Sequence, residues 1–161
     1  MMFCHSLKRG ALFISIIALF IGHAQAQEDT VLTVSGDNQE VSYTMEQLEN
    51  MAQDTITTET PWTKGNTQFT GITLKKLLEQ SGIENENIKV GAINNYWANI
   101  PYQDIPTYDP ILAFKMNGKS MSVRDKGPLW VIYPLSQTNQ LTSELLHSRM
   151  VWQVNRIEVL H

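Results

Sequence analysis

Five apolar or aromatic residues in unbroken succession, Leu129-Trp130-Val131-Ile132-Tyr133, lie between Pro128 and Pro134. A run this short, rich in β-branched and aromatic residues and closed by proline at both ends, is a strand buried on both faces. Such a strand is expected at the centre of a mixed sheet, not at an edge. Arg124, Asp125 and Lys126 stand at its entrance, and the Tyr133 hydroxyl stands at its exit. Polar groups at the ends of a buried strand are where a sheet presents a ligand. The plainer reading is a core strand behind a charged turn.

The first residues carry a different message. Lys8-Arg9 is a basic start, residues 11–22 are an apolar run, and Ala24-Gln25-Ala26 is a small-x-small cleavage pattern. Together they predict an export signal over residues 1–26, removed before Gln27. The apolar run is too short for a comfortable membrane anchor. The expected mature chain, 27–161, has a length that suits one domain with a real core. Losing Lys8 and Arg9 leaves 10 basic and 16 acidic residues, a net charge of −6. That balance favours solubility and disfavours nucleic acid as a partner. Cys4, the only cysteine, leaves with the signal. The exported chain then offers no disulfide, no thiolate nucleophile and no sulfur ligand for a metal.

Along the rest of the chain, alternation over residues 31–35 and 40–43 predicts a hairpin, and Thr44 with Gln47 makes a capping box for a short helix. Residues 54–60 read as a Thr-rich strand with Ile56 as its apolar anchor. A polar turn follows over 61–66, with Trp62 inside it, and a brief return strand over 67–69. Thr73 caps a helix whose Leu74, Leu77 and Leu78 share one face, and Gly82 ends it. Residues 88–93 form a strand, 94–97 a turn, and 102–105 a single helical turn. Asn117-Gly118 between two strand-like runs is a type I′ hairpin. A modest helix is expected over 141–150 and a closing strand over 152–160. The sum is one α+β domain: a strand-dominated mixed sheet with a few short helices.

Catalytic constellations are missing. After residue 26 the only histidines are His147 and His161, and no H-x-x-x-H, C-x-x-C, G-x-S-x-G or glycine-rich phosphate loop occurs. His147 reads as a solvated residue on the polar side of its helix. What remains is a set of aromatics in or beside turns: Trp62, Tyr96, Trp97, Tyr102, Tyr133 and Trp152. A flat heteroaromatic ligand wants such faces, with hydrogen-bonding groups at its rim. Asn94, Asn95, Glu59, Asp104 and Arg149 supply candidates, since amide or carboxylate oxygens accept from an amino-pyrimidine edge and Arg donates to carbonyl oxygens or phosphate. Half of these aromatics are expected to cap the core separately.

Assembled in order, these stretches resemble the molybdopterin-binding domain of the sulfite oxidase family. They are TPWT with FTGITLKKLL, AINNYW with IPYQDI, ILAFKMNGK, GPLWVIYP and VWQVNRIEV. The resemblance implies the sulfite oxidase-like fold. It also places the molybdenum-binding cysteine of catalytic members near Thr58, where a hydroxyl replaces the thiolate. The D-G-Y turn of many members reads Asn94-Asn95-Tyr96 here. The chain is more similar to a cysteine-free branch that keeps TPWT, NGK, RDKGPLWVIYP and S-R-x-V-W-Q. That likeness implies a periplasmic, non-catalytic protein binding a metal-free pterin. Its implied partner is the periplasmic domain of an inner-membrane protein that makes or degrades cyclic di-GMP, in control of biofilm formation. Trp62, Tyr96, Tyr133 and Trp152 are then the expected faces of the pterin site. Asn94, Ser148 and Arg149 are the expected rim donors and acceptors, and Glu59 or Asp104 the acceptor for the amino-pyrimidine edge. Two alternatives stand beside this one: an oxidoreductase subunit holding molybdopterin through its pterin alone, and a ligand-free interaction scaffold.

Overall fold

The computed structural model describes residues 29–140 and 142–161. The export signal expected over 1–26 therefore lies outside the described residues, as does Leu141. Among the described residues, ten strands form two sheets, accompanied by four short α-helices and one 3-10 turn (Val123–Asp125). The first sheet joins β1 (Leu32–Ser35), β2 (Glu40–Tyr43), β5 (Ile88–Ala92), β6 (Trp97–Ile100) and β10 (Val154–Val159) in the order β2-β1-β10-β5-β6. It is mixed, because β1 runs parallel to β10 while its other pairings are antiparallel. The second sheet is antiparallel throughout. It lines up β3 (Asp54–Thr58), β4 (Thr67–Thr73) and β7 (Ile111–Met116), and the far edge of β7 is shared by β8 (Lys119–Ser120) and β9 (Trp130–Ile132).

The apolar run at 129–133 is wholly buried, as its composition requires. Its position differs from the expectation. β9 pairs with one strand only, β7, and its other edge is closed by the segment leading into β10. There the Val131 amide donates to the Val151 carbonyl (2.9 Å) and the Val154 amide to the Leu129 carbonyl (3.0 Å), with Trp130 bridging Trp152. The strand is thus the seam between the two sheets. Burial on both faces follows from that junction, not from a central place in one sheet.

Local signals explain most of the boundaries. Thr44 and Gln47 form the reciprocal capping box of α1 (Met45–Glu49), and the Thr73 hydroxyl accepts from the Lys76 amide at the start of α2 (Leu74–Gln80). Asn117 and Gly118 both hold positive φ, 50° and 75°, as a type I′ turn demands. β4 outruns its expected three residues. Gly71 does not end it, but sits so close to β7 that a Cβ there would collide with the Leu112 carbonyl oxygen. α3 (Asp104–Tyr108) extends past Pro106, whose missing amide falls in the first turn where no helical partner exists. α4 (Glu144–Arg149) is shorter than expected, because Ser143 accepts from the Leu146 amide and so fixes its start. β10 loses its simple alternation at a register shift between Val154 and Arg156, which leaves Val154 and Ile157 as its buried residues. One core joins Val34, Val90 and Ile157 of the first sheet to Phe69, Leu112 and Trp130 of the second, with Leu74 and Leu77 of α2 between them.

Candidate functional site

Beyond the end of β3 the chain makes a tight polar turn that presents Trp62. The Thr60 hydroxyl accepts from the Trp62 amide (3.2 Å) and lies 2.9 Å from the Thr63 hydroxyl. A Thr side chain that bonds its own backbone two residues on is a local turn device, and here it holds the indole in place. Trp62 then meets Trp152 edge-on at 5.2 Å between ring centroids, His147 at 5.9 Å and Trp130 at 6.0 Å. Trp130 is fully buried and anchored, its indole N–H donating to the Met150 carbonyl (3.0 Å). Lys126 stands at the entrance of β9 with its ammonium 5.1 Å from the Trp152 ring and 5.7 Å from the Trp130 ring. Such contacts favour a fixed ring orientation.

Between this aromatic cluster, the β5–β6 turn and α4 lies a cavity of about 270 Å³. Trp62, Trp152, Tyr96, Met150 and Val151 form its apolar walls. Asn94, His147 and Ser148 are its polar groups, and no Asp, Glu, Lys or Arg side chain lines it. In the turn, Asn94 Oδ1 accepts from the Tyr96 amide (3.0 Å), Asn95 adopts φ 65°, and the Tyr96 hydroxyl donates to the Ser148 carbonyl (2.9 Å). This bond ties the hairpin to α4 across the cavity. Asn94 keeps its amide NH₂ as a donor, and Ser148, whose hydroxyl donates to the Leu145 carbonyl (2.7 Å), keeps an acceptor lone pair. Such a space suits one flat, neutral, hydrogen-bonding ring system, and is close to the lower end of ordinary ligand pockets.

Five of the nine expected site residues meet here: Trp62, Asn94, Tyr96, Ser148 and Trp152. The other four do not line the cavity. Tyr133, expected as an aromatic face, is fully buried and packs edge-on against Tyr108 at 5.8 Å. Its hydroxyl donates to Asp104 Oδ2 (2.8 Å), and the same oxygen accepts from Arg149 Nη1 (2.7 Å). Asp104 is 5% exposed and Arg149 is largely covered, so the expected rim acceptor and rim donor neutralise each other inside the protein. Burial, and then the adjacent Asp104 carboxylate, push the Tyr133 hydroxyl far above the usual tyrosine range. Glu59 is exposed and is held through its backbone, its amide donating to the Ser136 hydroxyl (2.9 Å) and its carbonyl accepting from the Thr58 hydroxyl (3.1 Å). His147 is corrected in the opposite sense. It is half-buried in the cavity wall against Trp62, not solvated. The sequence cue was its position directly before Ser148-Arg149, on the short helix that approaches Trp152.

Thr58 is wholly buried at the end of β3. Its hydroxyl accepts from the Ser136 amide (3.0 Å) and lies 3.1 Å from both the Ser136 hydroxyl and the Glu59 carbonyl. The position is closed, and its oxygen is committed to holding the 134–138 turn against β3.

Residues 22–142 match the model of the family described as the oxidoreductase molybdopterin binding domain. The chain belongs to that family. No curated protein sequence matches it. Among solved structures it is similar to the sulfane dehydrogenase SoxCD from Paracoccus pantotrophus, with a TM-score of 0.61 and 18% identity. The alignment covers 82% of this chain and 38% of the SoxCD chain, so the present domain spans well under half of that protein. The likeness establishes the sulfite oxidase-like fold. The pterin portion of the family's cofactor fits the aromatic cavity. Molybdenum does not fit the residues at its expected position, where Thr58 supplies a buried, fully engaged hydroxyl in place of a thiolate. No group of three or more His, Cys, Asp or Glu among the described residues is arranged to hold a metal.

Proposed function

We propose that this member of the molybdopterin-binding family is an exported, non-catalytic module that binds a metal-free pterin. On this reading it reports its occupancy to the periplasmic domain of an inner-membrane protein that makes or degrades cyclic di-GMP. One observation carries the ligand: a cavity with Trp62, Trp152 and Tyr96 as walls and Asn94, His147 and Ser148 as its hydrogen-bonding groups. A pterin ring resting on an indole face buries its apolar surface while its amide and ring nitrogens find partners in Asn94 and Ser148 at the rim. The closed Thr58 position supports a pterin held without metal. The start of the sequence, with its basic residues, short apolar run and Ala24-Gln25-Ala26, supports export. A ring in the cavity would bridge the Trp62 turn and α4, so binding favours one arrangement of these two elements over others. That differential affinity is what a partner reads.

Titration with a reduced and an oxidised pterin, followed by tryptophan fluorescence, tests the ligand. Saturable quenching that is lost in Trp62→Phe/Trp152→Phe is expected. Unchanged fluorescence at millimolar pterin would remove the ligand from the account. The second reading, an oxidoreductase subunit, rests on the family description alone. It requires stoichiometric molybdenum in the purified protein.

A further inference from the structure

A second cavity, of about 260 Å³, opens between α2, the loop that follows it and α3. Its floor is apolar, built from Leu78, Ile83 and Ile105, each 6% exposed or less. Its rim is acidic. Glu79, Glu84 and Glu86 surround it with a single cation, Lys75, which lies 4.0 Å from Glu79. Glu84 and Glu86 take part in no ion pair among the described residues. The neighbouring cleft shares Ile83, Glu84 and Glu86 and adds Asp37, so the negative surface continues around the loop. The loop is held in shape. The Ile83 amide donates to the Leu78 carbonyl (2.9 Å), the Asn87 side chain accepts from the Tyr102 amide (2.9 Å), and Gly82 and Asn85 hold φ of 70° and 58°.

We infer that this cleft docks a basic peptide segment of a partner protein. An aliphatic side chain of the segment would enter over Leu78 and Ile105, and flanking Lys or Arg residues would meet Glu84 and Glu86. Charge complementarity selects this occupant. An acidic rim repels nucleic acid and anionic lipid surfaces, and its carboxylates are not gathered into a metal site. An apolar anchor in a preformed pocket supplies affinity, and opposite charge at the rim supplies register and encounter rate. The inference deepens the reading of the chain as a module that reports to a partner, and rests on it. The cleft is also placed to sense the aromatic cavity. Ile105 follows Asp104, whose carboxylate holds Arg149, and Arg149 follows Ser148 of the cavity wall. A shift of α3 under a docked peptide therefore acts on α4 through one buried ion pair, and binding at the two sites is reciprocally coupled.

The test uses the purified chain and a capped Lys-Arg-Leu-Arg-Lys peptide, with a Glu-Asp-Leu-Asp-Glu peptide as control. Backbone amide shifts in NMR map the contact, and the Trp62 and Trp152 indole resonances follow a pterin titration in the same sample. The basic peptide is expected to shift Ile83, Glu84, Glu86 and Ile105. The surface variant Glu84→Lys/Glu86→Lys is expected to weaken it about tenfold or more, and added salt to weaken it further. No shift at millimolar peptide, equal binding of the acidic peptide, or binding that survives charge reversal would overturn the docking site. Peptide binding without pterin binding would uphold the cleft and sink the pterin reading, and the reverse would do the opposite. Saturating pterin is expected to change the peptide Kd by about fivefold or more. An unchanged Kd would refute the link through Asp104 and Arg149.

Discussion

Ser148 and Arg149 are neighbours on α4, yet they belong to two clusters built on opposite terms. Ser148 faces the cavity of Trp62, Tyr96 and Trp152, where Tyr96 is 48% exposed and the Asn94 amide and half-buried His147 stand at the rim. Arg149 turns into the protein, where Asp104 takes hydrogen bonds from it and from Tyr133. In the second cluster the Tyr133 hydroxyl, Asp104 Oδ2 and Arg149 Nη1 answer one another, and no buried side-chain nitrogen or oxygen among the described residues lacks a partner. The first cluster exposes aromatic surface, and the Asn94 amide NH₂ faces into its cavity as a donor. Closed polar networks stabilise and position, whereas open aromatic ones bind.

The buried cluster is the more sensitive of the two to substitution. Arg149→Ala leaves the Asp104 carboxylate inside the protein without its counter-ion, and is expected to lower stability by about 3–5 kcal/mol. The triple replacement Asp104→Leu/Tyr133→Phe/Arg149→Met removes all three polar groups together and should restore most of that loss. Urea unfolding of the two variants checks both statements, and a mild effect of Arg149→Ala would return that residue to the ligand site. At the open cluster, Trp62→Ala is expected to reduce pterin affinity roughly 10- to 100-fold, by analogy with about 1–3 kcal/mol per stacked base. Its cost in unfolding free energy should be smaller than that of Arg149→Ala.

Tyr133→Phe sharpens the contrast through pH. The folded Tyr133 holds its proton well above the ordinary pKa of about 10, so its stabilising contribution is complete below that pH. Above it the unfolded chain ionises first and binds fewer protons, so stability falls by about 1.4 kcal/mol per pH unit from this group. The variant should lose that component of the alkaline slope, while costing only about 1 kcal/mol at neutral pH for the missing hydrogen bond. Tyr96→Phe is the smallest effect. It removes the bond to the Ser148 carbonyl and should cost about 1 kcal/mol in stability, with a few-fold loss of pterin affinity read by the same fluorescence titration.

Much of the fold was legible because its signals are local. The capping box at Thr44, the Asn117-Gly118 turn and the helix capped by Thr73 each depend on residues within one turn of chain. The ordered motifs from TPWT to VWQVNRIEV carried the family resemblance across the chain. What stayed hidden depends on long-range packing. Nothing in 129–133 says that its outer edge is closed by 151–154, and nothing near Gly71 says that β7 passes too close for a side chain. The site divided for the same reason. Tryptophans in turns were found together, but Asp104, Tyr133 and Arg149 have the same composition as a rim. Only their mutual distances reveal that they answer one another. His147 reads as solvated from sequence because a helix of six residues has too short a pattern to tell its solvent face from a cavity wall.

On the proposed reading, the aromatic cavity takes a pterin while the closed Thr58 position takes no molybdenum. This is tested most directly on protein purified from cells that express the chain with its own N-terminus. The sample is denatured, and pterin fluorescence and molybdenum are measured against protein concentration. Pterin near one per chain with molybdenum at background is expected. Molybdenum in stoichiometric amount alongside the pterin would contradict it and restore the oxidoreductase.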